Sequence, residues 1–474
     1  MSQAELSEFV EATAAEFGIP GVAVGVWADG QEIYACHGVT SVENPLPVDE
    51  NTLYQLASVT KTYTATALMR LVADGLVELD APVRRYVPEL TLTDERAAAE
   101  ITVLNLLNHT AGLEWGVIND TGDGDDALAG YVASMAELEL IAPPGTRSSY
   151  SQAGYNLVGR ILEKVTGMTY ERAVSSLVLE PLGLSESLFA PNDVMTRRFA
   201  VGHNRDEDGT PSVARPWTPT TRGNRPGGGL VSSAADQLRW ARFHLGDGRT
   251  ESGVRVLPAD LLQQMKEPTV ALRGSAEGDA MGIGWFLRDV DGVRAVGHGG
   301  SANGQFSELL TVPERNFAVV TLSNAGPNGI LFNQAVVRWA LQTYLGVTDQ
   351  DPEPLPYDEV RARAQEIAGT YEIDAMTLTI DAGGADGADG ADGAELTLEV
   401  VIKPEIRAAA DTDLPPDYAP FTLGLLPGDG DEYVLTSGGL KGRRGFFTRD
   451  ESGTVVGVDL GGRMFTRVPQ ASSA

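Results

Sequence analysis

The nine residues Gln55-Leu56-Ala57-Ser58-Val59-Thr60-Lys61-Thr62-Tyr63 place a serine and a lysine three positions apart, where a helix is predicted to begin. Apolar side chains follow on one helical face, at Ala65, Leu68, Leu71 and Val72. Gly75 fits the position just past the end of this helix. Residues three apart share a helix face, so Lys61 can bring its Nζ beside the Ser58 hydroxyl.

Such a pair has a chemical use. A serine hydroxyl is a weak nucleophile until a neighbouring group takes its proton. A lysine can take that proton if burial or a nearby cation lowers its pKa. The alternative is that Ser58 caps the helix while Lys61 lies in solvent, and the four residues alone favour this second interpretation, because short motifs often match by chance.

The composition restricts the classes of partner. Of 474 residues, 66 are acidic and 35 basic, and the formal net charge is −31. This balance argues against nucleic acid and against an anionic membrane, both of which bind positive patches. The acidic residues are spread along the chain, which is typical of adaptation to high salt. An ordinary acidic protein is the alternative.

The chain contains one cysteine, Cys36, so an internal disulfide is excluded and nothing requires an oxidising compartment. Residues 1–16 lack a basic region followed by an apolar run, so no signal peptide is predicted. No stretch approaches the roughly 20 apolar residues of a membrane span. We therefore expect a cytoplasmic protein.

Antiparallel strands and helices are predicted around the Ser58 stretch. A helix opens the chain, and two strands follow, joined through Ala28-Asp29-Gly30. Four more strands are predicted late in the chain, at Trp285–Asp289, Arg294–Gly297, Ser307–Val312 and Phe317–Ser323. Further helices are predicted at Ala234–Leu245 and Ile330–Leu345. The fold class is α/β in the broad sense (α+β).

Other segments carry weaker predictions. Thr102 is expected to cap a short helix, and His109 at its end is interpreted as a structural residue. The acidic segment Asn119–Ala129 is predicted to be a surface loop. It fits a calcium loop only in part, because no glutamate stands at the last position. Gly227-Gly228-Gly229 is predicted to be a tight turn at the edge of a site.

Two further positions are candidates for chemistry. Tyr150 stands just before a predicted helix, where its hydroxyl can point into a cleft, although a buried tyrosine usually only packs. His298-Gly299-Gly300 lies between two predicted strands, and its glycines let a substrate approach the backbone. A backbone N–H there could polarise a carbonyl oxygen.

The chain changes character near its end. We predict a first domain over residues 1–347, an acidic, Pro-rich linker over 348–362, and a small all-β barrel over 363–474. The Gly-Ala-Asp repeat at Gly383–Ala394 is predicted to be a disordered hairpin tip.

Three candidate motifs follow one another along the chain: Ser58-Val59-Thr60-Lys61, Tyr150-Ser151-Gln152 and His298-Gly299-Gly300. In this order they resemble the motifs of serine hydrolases related to class C β-lactamases and D-alanyl-D-alanine carboxypeptidases (peptidase family S12). The resemblance covers roughly Phe17 to Leu345. Four further stretches agree with it: Leu106–Gly112, Ala153–Leu157, Pro181–Leu184 and Gly228–Ser232. Together these matches reverse the preference for a simple cap at Ser58.

The resemblance implies a role for each position. Ser58 would be the acylated nucleophile, Lys61 its proton partner, Tyr150 the general base and then acid, and His298 the third-motif residue. Which of Lys61 and Tyr150 takes the first proton stays open. Backbone N–H groups of Ser58 and Ser301 would form the oxyanion hole, with Gly300 and Gln152 as further substrate-binding positions. No metal or cofactor is implied.

Two departures from the family motifs bear on the substrate. Gln152 stands where the family usually has Asn, and His-Gly-Gly replaces Lys-Thr-Gly, which removes a fixed cation and a hydroxyl that would bind a β-lactam carboxylate. Both departures favour an esterase or a peptidase acting on small peptides. A β-lactamase-like activity and a non-catalytic scaffold of the same fold are the alternatives.

The C-terminal part, with Ala368-Gly369-Thr370-Tyr371, resembles the lipocalin-like barrel appended to some archaeal peptidases of this family. There the barrel helps assembly and restricts entry to the site, which leaves homo-oligomer formation open here. A barrel with only a packing role is the alternative.

Overall fold

The computed structural model describes residues 3–114, 120–205, 209–217, 221–383, 396–409, 417 and 419–469. The chain divides into two compact units. The first comprises Met1–Ala271 and Ala280–Asp349, and the second comprises Leu272–Asp279 and Gln350–Ala474. The predicted repeat tip Gly383–Ala394 lies outside the described residues except for its first position.

The α-helices of the described residues are α1 Gln3–Phe17, α2 Thr60–Ala73, α3 Glu95–Glu100, α4 Val103–Leu107, α5 Ala127–Ser134, α6 Gln152–Thr166, α7 Tyr170–Val174, α8 Glu180–Leu182, α9 Pro191–Val194, α10 Arg225–Gly228, α11 Ala234–Leu245, α12 Ala259–Gln264, α13 Gly329–Ala340, α14 Tyr357–Ile367 and α15 Pro404–Ala409.

The strands are β1 Gly21–Ala28, β2 Gln31–Gly38, β3 Tyr54–Gln55, β4 His203–Arg205, β5 Pro211–Val213, β6 Val231–Ser232, β7 Val270–Ser275, β8 Gly278–Met281, β9 Phe286–Val290, β10 Val293–Ala302, β11 Gln305–Val312, β12 Phe317–Ser323, β13 Gly369–Glu372, β14 Met376–Ala382, β15 Leu396–Ile402, β16 Phe421–Leu425, β17 Glu432–Leu435, β18 Arg444–Arg449, β19 Val455–Leu460 and β20 Arg463–Arg467.

The main sheet has the strand order β2-β1-β12-β11-β10-β9-β8-β7. Neighbouring strands in this order pair antiparallel from β2 through to β8. Because side chains alternate along a strand, each face of the sheet has its own core. One face packs against α1 and α13 through residues such as Val24, Val319 and Phe332. The other faces the helical part with α2, α6 and α11, through residues such as Leu68, Leu309 and Trp240.

The predicted N-terminal helix and hairpin are confirmed. Helix α1 buries Leu6, Val10 and Ala14 along one stripe. Strands β1 and β2 pair from Gly21↔Gly38 to Ala28↔Gln31. The turn between them has positive φ at both Asp29 and Gly30, 51° and 75°, as a two-residue hairpin turn requires.

Thr102 caps α4 as predicted, in a reciprocal pair of bonds with Asn105. Ser233 accepts a hydrogen bond at the start of α11 from the Asp236 N–H. The predicted last helix continues from Ala340 to Leu345 as a wider π-helical segment.

Several boundaries were predicted wrongly. The His298-Gly299-Gly300 motif lies inside strand β10, not between two strands, because β11 pairs with it as far as Ala302↔Gln305. The Gly227 segment is the end of a short helix, α10, and α5 begins at Ala127 within the predicted acidic loop. The hairpin of β7 and β8 was not predicted, since its small and charged residues lack apolar alternation.

The second unit contains a closed barrel in which strands β13 to β20 follow one another in chain order. The pairing of β13 with β20 closes it. The predicted small all-β barrel is thereby confirmed. Its core is filled by apolar and aromatic side chains, among them Leu378, Phe421, Phe447 and Phe465.

In the part of the chain that the structure describes, no helix combines the length and the apolar character that crossing a bilayer demands. The domain limits at 347 and 363 stay predictions. The assignment of Leu272–Asp279 to the second unit was not foreseen.

Candidate active site

Ser58 lies in a short 3₁₀ turn, Ala57–Val59, that leads directly into α2. Ala57 has a φ of 45°, in the left-handed region that side chains other than glycine rarely adopt. Strain of this kind is typical of functional positions. The N-cap residue of α2 is Val59, and no side chain caps the helix. The alternative prediction, in which Ser58 is the helix cap, is therefore wrong.

Lys61 is fully buried on the first turn of α2. Its Nζ donates to the Ser58 Oγ at 3.3 Å, to the Gln152 Oε1 at 3.0 Å and to the Gly227 carbonyl oxygen at 2.7 Å. The predicted neighbourhood of hydroxyl and amine is therefore present. A buried cation needs such acceptors to offset its lost hydration.

Tyr150 is 7% exposed and stands beside this pair. Lys61 Nζ lies 4.7 Å from the centre of its ring. Its ring centre lies 6.2 Å from that of His298. Tyr150, which lies two residues before α6, is therefore close to Lys61 on α2 and to His298 on β10, and Lys61 contacts the Ser58 hydroxyl.

His109 supports Tyr150 from behind. The two ring centres are 4.5 Å apart, and the His109 Nδ1 accepts a hydrogen bond from the Ser151 N–H at 3.1 Å. Ser151 in turn caps α6 by accepting from the Gly154 N–H. The structural interpretation of His109 agrees with these contacts.

Gln152 turns into the protein. Its Oε1 accepts from Lys61, while its Nε2 donates to the Asn156 Oδ1 at 3.1 Å and to the Asn224 carbonyl oxygen at 2.9 Å. Both amide hydrogens are thus engaged by protein atoms. The contact between Gln152 and Lys61 joins the second motif to the first, and the substrate-binding role of Gln152 stays a prediction.

The Gln152 amide fits because Gly227 has no side chain, since a Cβ there would lie 2.1 Å from the Gln152 Nε2. Asn156 Nδ2 donates to Asn224 Oδ1 at 2.7 Å and completes the network. Sequence reasoning missed Asn156 and Asn224, and the glycine run at 227–229 was the available signal.

His298 is buried, with its Nδ1 2.7 Å from the carbonyl oxygen of Gly299. Burial, and then the charge of Lys61, lowers the pKa of His298 to about 3. The ring is therefore neutral at ordinary pH, and Nδ1 donates to the carbonyl. In the described part of the chain its Nε2 has no hydrogen-bond partner, and in this tautomer that nitrogen is an acceptor.

Gly300 brings β10 against the nucleophile. A Cβ there would lie 2.1 Å from the Leu56 carbonyl oxygen and 3.1 Å from the Ser58 nitrogen. Ser301, the next residue, is exposed. Strand β9 pairs with β10 only from Val293 to Gly297. On the side of β10 that faces away from β11, the edge from His298 onward therefore has no strand beside it among the described residues. An extended substrate can lie there.

A family model described as Beta-lactamase matches residues 6–340. The chain belongs to the beta-lactamase family. Its class C β-lactamase-like and penicillin-binding-protein-like motifs accordingly lie on the fold expected for them, and the relatives of this family are serine hydrolases.

Among curated relatives, this beta-lactamase-family chain is 34% identical to "Penicillin-binding protein 4" of Amycolatopsis lactamdurans, over 78% of this chain and 97% of the relative. It is 24% identical to "Protein flp" of Staphylococcus aureus (strain MRSA252), over 68% of this chain and 63% of that protein.

Solved structures with the same fold extend over both units. "Crystal structure of SurE" superposes with a TM-score of 0.73 at 26% identity, covering 98% of this chain and 99% of that one. The octameric penicillin-binding protein homologue from Pyrococcus abyssi has a TM-score of 0.64 at 24% identity, over 97% and 98% of the two chains. A class C β-lactamase mutant has a TM-score of 0.59 at 21% identity, over 71% of this chain and 98% of its own.

Proposed function

We propose that this protein is a serine hydrolase that cleaves small peptides or esters through an acyl-enzyme on Ser58. One observation carries the proposal: the buried Lys61 Nζ donates to the Ser58 Oγ at 3.3 Å, with Tyr150 beside it. A nucleophile with a proton partner in reach is the minimum equipment for acyl transfer.

In the proposed reaction the Ser58 Oγ attacks the substrate carbonyl and its proton passes to Tyr150 or Lys61. The tetrahedral oxyanion is held by the N–H groups of Ser58 and Ser301. The bond to the leaving group then breaks, and the leaving group takes up the proton. Water attacks the resulting ester by the same path and releases the acid.

The contacts of Lys61 favour Tyr150 as the first base. The Gln152 Oε1 and the Gly227 carbonyl oxygen lie within hydrogen-bond distance of this Nζ, and such acceptors stabilise an ammonium. A charged lysine beside a phenol favours the phenolate, because opposite charges stabilise each other. Lys61 would then hold the phenolate and the hydroxyl in place.

A small peptide or ester is the proposed substrate because the fixed cation of Lys-Thr-Gly is replaced by a neutral His298. A related structure, "Crystal structure of SurE with D-Leu", is 26% identical to this chain. The D-leucine in that structure is a reason to include D-configured substrates in any screen.

Penicillin-binding or β-lactamase-like activity is the second candidate, and the 34% identity to a protein named Penicillin-binding protein 4 favours it. We expect this activity to be weak, because Gln152 contacts protein atoms and His298 is neutral. Burst hydrolysis of a chromogenic cephalosporin would reveal it.

The proposal is tested by labelling with a fluorophosphonate probe and by intact mass, comparing the native protein with Ser58→Ala. We expect one adduct, lost in the variant. Ser233→Ala, a change at a buried serine that caps α11, is the matched control and should keep the adduct. Equal labelling of the native protein and Ser58→Ala would favour a scaffold without catalytic activity. A panel of p-nitrophenyl esters and L- and D-aminoacyl amides then identifies the substrate class.

A homo-oligomer in the cytoplasm is the proposed state. The support for assembly is that the penicillin-binding protein homologue from Pyrococcus abyssi, whose fold extends over both units, is octameric. Light scattering of the purified protein measures the mass, and a mass of 50.2 kDa, that of one chain, would contradict the proposal.

A further inference from the structure

Ser307 on strand β11 is turned toward the nucleophile. In the β10–β11 ladder it pairs with Gly300, and paired residues of an antiparallel ladder lie on the same face of the sheet. A Cβ on Gly300 would lie 2.5 Å from the Ser307 Oγ and 3.1 Å from the Ser58 nitrogen. The buried Ser307 side chain therefore lies on the face of the sheet that carries the Ser58 turn.

The Ser307 hydroxyl donates a hydrogen bond to the Leu56 carbonyl oxygen at 2.8 Å. The same oxygen accepts from the Val59 N–H at 3.2 Å, in the bond that closes the 3₁₀ turn around Ser58. The carbonyl group from which the turn starts is thus held in place by a side chain of the neighbouring sheet.

Gln305 makes a second contact of this kind. It precedes Ser307 by two residues, so both side chains point to the same face of the sheet. The Gln305 Oε1 accepts a hydrogen bond from the Gln55 N–H at 3.1 Å. Two side chains of β11 therefore hold the two residues, Gln55 and Leu56, that precede the turn.

The turn needs this support because Ala57 has a φ of 45°. The free-energy cost of a positive φ in a residue other than glycine is similar in size to the contribution of one buried hydrogen bond. Loss of the Ser307 hydroxyl would let Ala57 relax, and that relaxation would rotate the next peptide group, which carries the Ser58 N–H. In the proposed reaction this N–H holds the oxyanion.

We propose that Ser307 is a positioning residue of the oxyanion hole, which acts through the Leu56 carbonyl and the strained turn at Ala57. The inference rests on the proposed hydrolase function and adds a residue that none of the three motifs contains. Its role needs no contact between Ser307 and the substrate. Removing the hydroxyl should therefore weaken the stabilisation of the oxyanion while Lys61 and Tyr150 stay in place.

The test compares p-nitrophenyl acetate with its thiono analogue, in which sulfur replaces the carbonyl oxygen. Sulfur is the weaker hydrogen-bond acceptor, so a well-placed donor accelerates the oxygen ester more. For Ser307→Ala we expect kcat/KM of the oxygen ester to fall about tenfold, a part of the loss that removal of a whole oxyanion donor causes. The thiono ester should lose less, so the ratio of the two kcat/KM values falls.

Thr311→Val is the matched control. Thr311 is buried on the same face of β11, about 13 Å further along the strand, and its Oγ1 donates to the Val296 carbonyl oxygen at 3.0 Å. The substitution removes an equivalent hydroxyl away from the Ser58 turn and should leave both kcat/KM values unchanged. A native ratio in Ser307→Ala, or the same fall of the ratio in Thr311→Val, would overturn the positioning role while leaving the hydrolase standing.

Failure of the hydrolase itself has a different signature: neither ester is turned over above background, and no labelling depends on Ser58. In that case amide hydrogen exchange of a peptide covering residues 55–60 decides the positioning role. Faster exchange in Ser307→Ala than in the native protein and in Thr311→Val supports it, and equal exchange in all three overturns it.

Discussion

Lys61 owes its place to three acceptors from three parts of the chain: the Ser58 hydroxyl, the Gln152 amide and the Gly227 carbonyl. Each contact alone is modest, but together they hold the Nζ of a fully buried side chain in one position. A flexible four-carbon chain is thereby made into a precise group, as catalysis requires.

Replacing Lys61 by Met should therefore abolish most activity while the shape of the side chain is nearly kept. We expect kcat/KM on a p-nitrophenyl ester to fall at least about a thousandfold, since general acid–base contributions reach this size. Tyr150→Phe should give a loss of similar order. Circular dichroism checks that both variants fold, and a folded Lys61→Met enzyme with near-native turnover would contradict the assignment.

A second prediction concerns the substitution of Gln152. Gln152→Glu keeps the shape but replaces the Nε2 donor, so the Asn156 and Asn224 oxygens would face a carboxylate. The new charge also raises the pKa of Lys61. We expect kcat to fall about tenfold or more, with KM changed less and the pH–rate profile displaced. A loss confined to KM would instead indicate that Gln152 contacts the substrate.

Strand β10 shows how one element serves both packing and chemistry. Its first half pairs with β9 on one side, and its second half has no strand on that side among the residues that the structure describes, so we call it the open half. The two glycines in that open half differ in what surrounds them. A Cβ at position 300 meets the Leu56 backbone at 2.1 Å, whereas one at position 299 meets the end of the flexible Glu308 side chain at 2.8 Å.

Gly300→Ala should therefore impair the enzyme far more than Gly299→Ala. The backbone of Leu56 cannot move aside without shifting the Ser58 turn, but the Glu308 side chain can rotate away. We expect kcat to fall by about two orders of magnitude for Gly300→Ala, because a 1 Å displacement of reacting groups costs this much. Parallel kinetics and thermal unfolding of the two variants measure the difference. Equal effects would refute this account of the strand.

The sequence predicted helices and strands better than it predicted strand pairing and side-chain contacts. Helix α11 was predicted with its observed bounds, since its apolar period and its serine cap are local signals. The course of β10 through His298-Gly299-Gly300 was not, because glycines carry no side chain to reveal the pairing with β11. Gln152 and Glu308 show the same limit, since a side chain's partners depend on residues far away in the sequence.

Buried histidines link the folding of this protein to pH. Burial lowers the pKa of His203, His244 and His298. Below the ordinary pKa of 6.5 the unfolded chain takes up protons that these rings refuse in the folded state. The contribution of these three rings to the free energy of unfolding is therefore fully present well above pH 6.5 and is lost as the pH falls below that value.

For each ring the free energy of unfolding should fall by up to about 1.4 kcal/mol per pH unit below this point. His244→Gln should make the fall between pH 6.5 and 5 shallower in urea unfolding experiments. Thr66→Val, which removes the hydroxyl 3.4 Å from the His244 Nε2 but keeps the ring, is the control and should retain the native slope. Identical slopes in the native protein and His244→Gln would exclude this linkage.

The net charge of −31 makes a separate prediction about salt. At about 1 M salt the screening length is about 3 Å, so repulsion between surface carboxylates is largely removed. We expect Tm to rise from low salt and to level off near that concentration in KCl. A Tm that does not change with KCl would identify an ordinary acidic protein without halophilic adaptation.

The missing side chain at position 300 has a practical consequence for anyone who wishes to evolve this protein. A single methyl group there would press on the Leu56–Ser58 backbone, so random libraries will lose most members that alter it. Substitutions are better tolerated at position 299, where the nearest atoms to an added Cβ belong to the end of the Glu308 side chain and to the Ser307 carbonyl group.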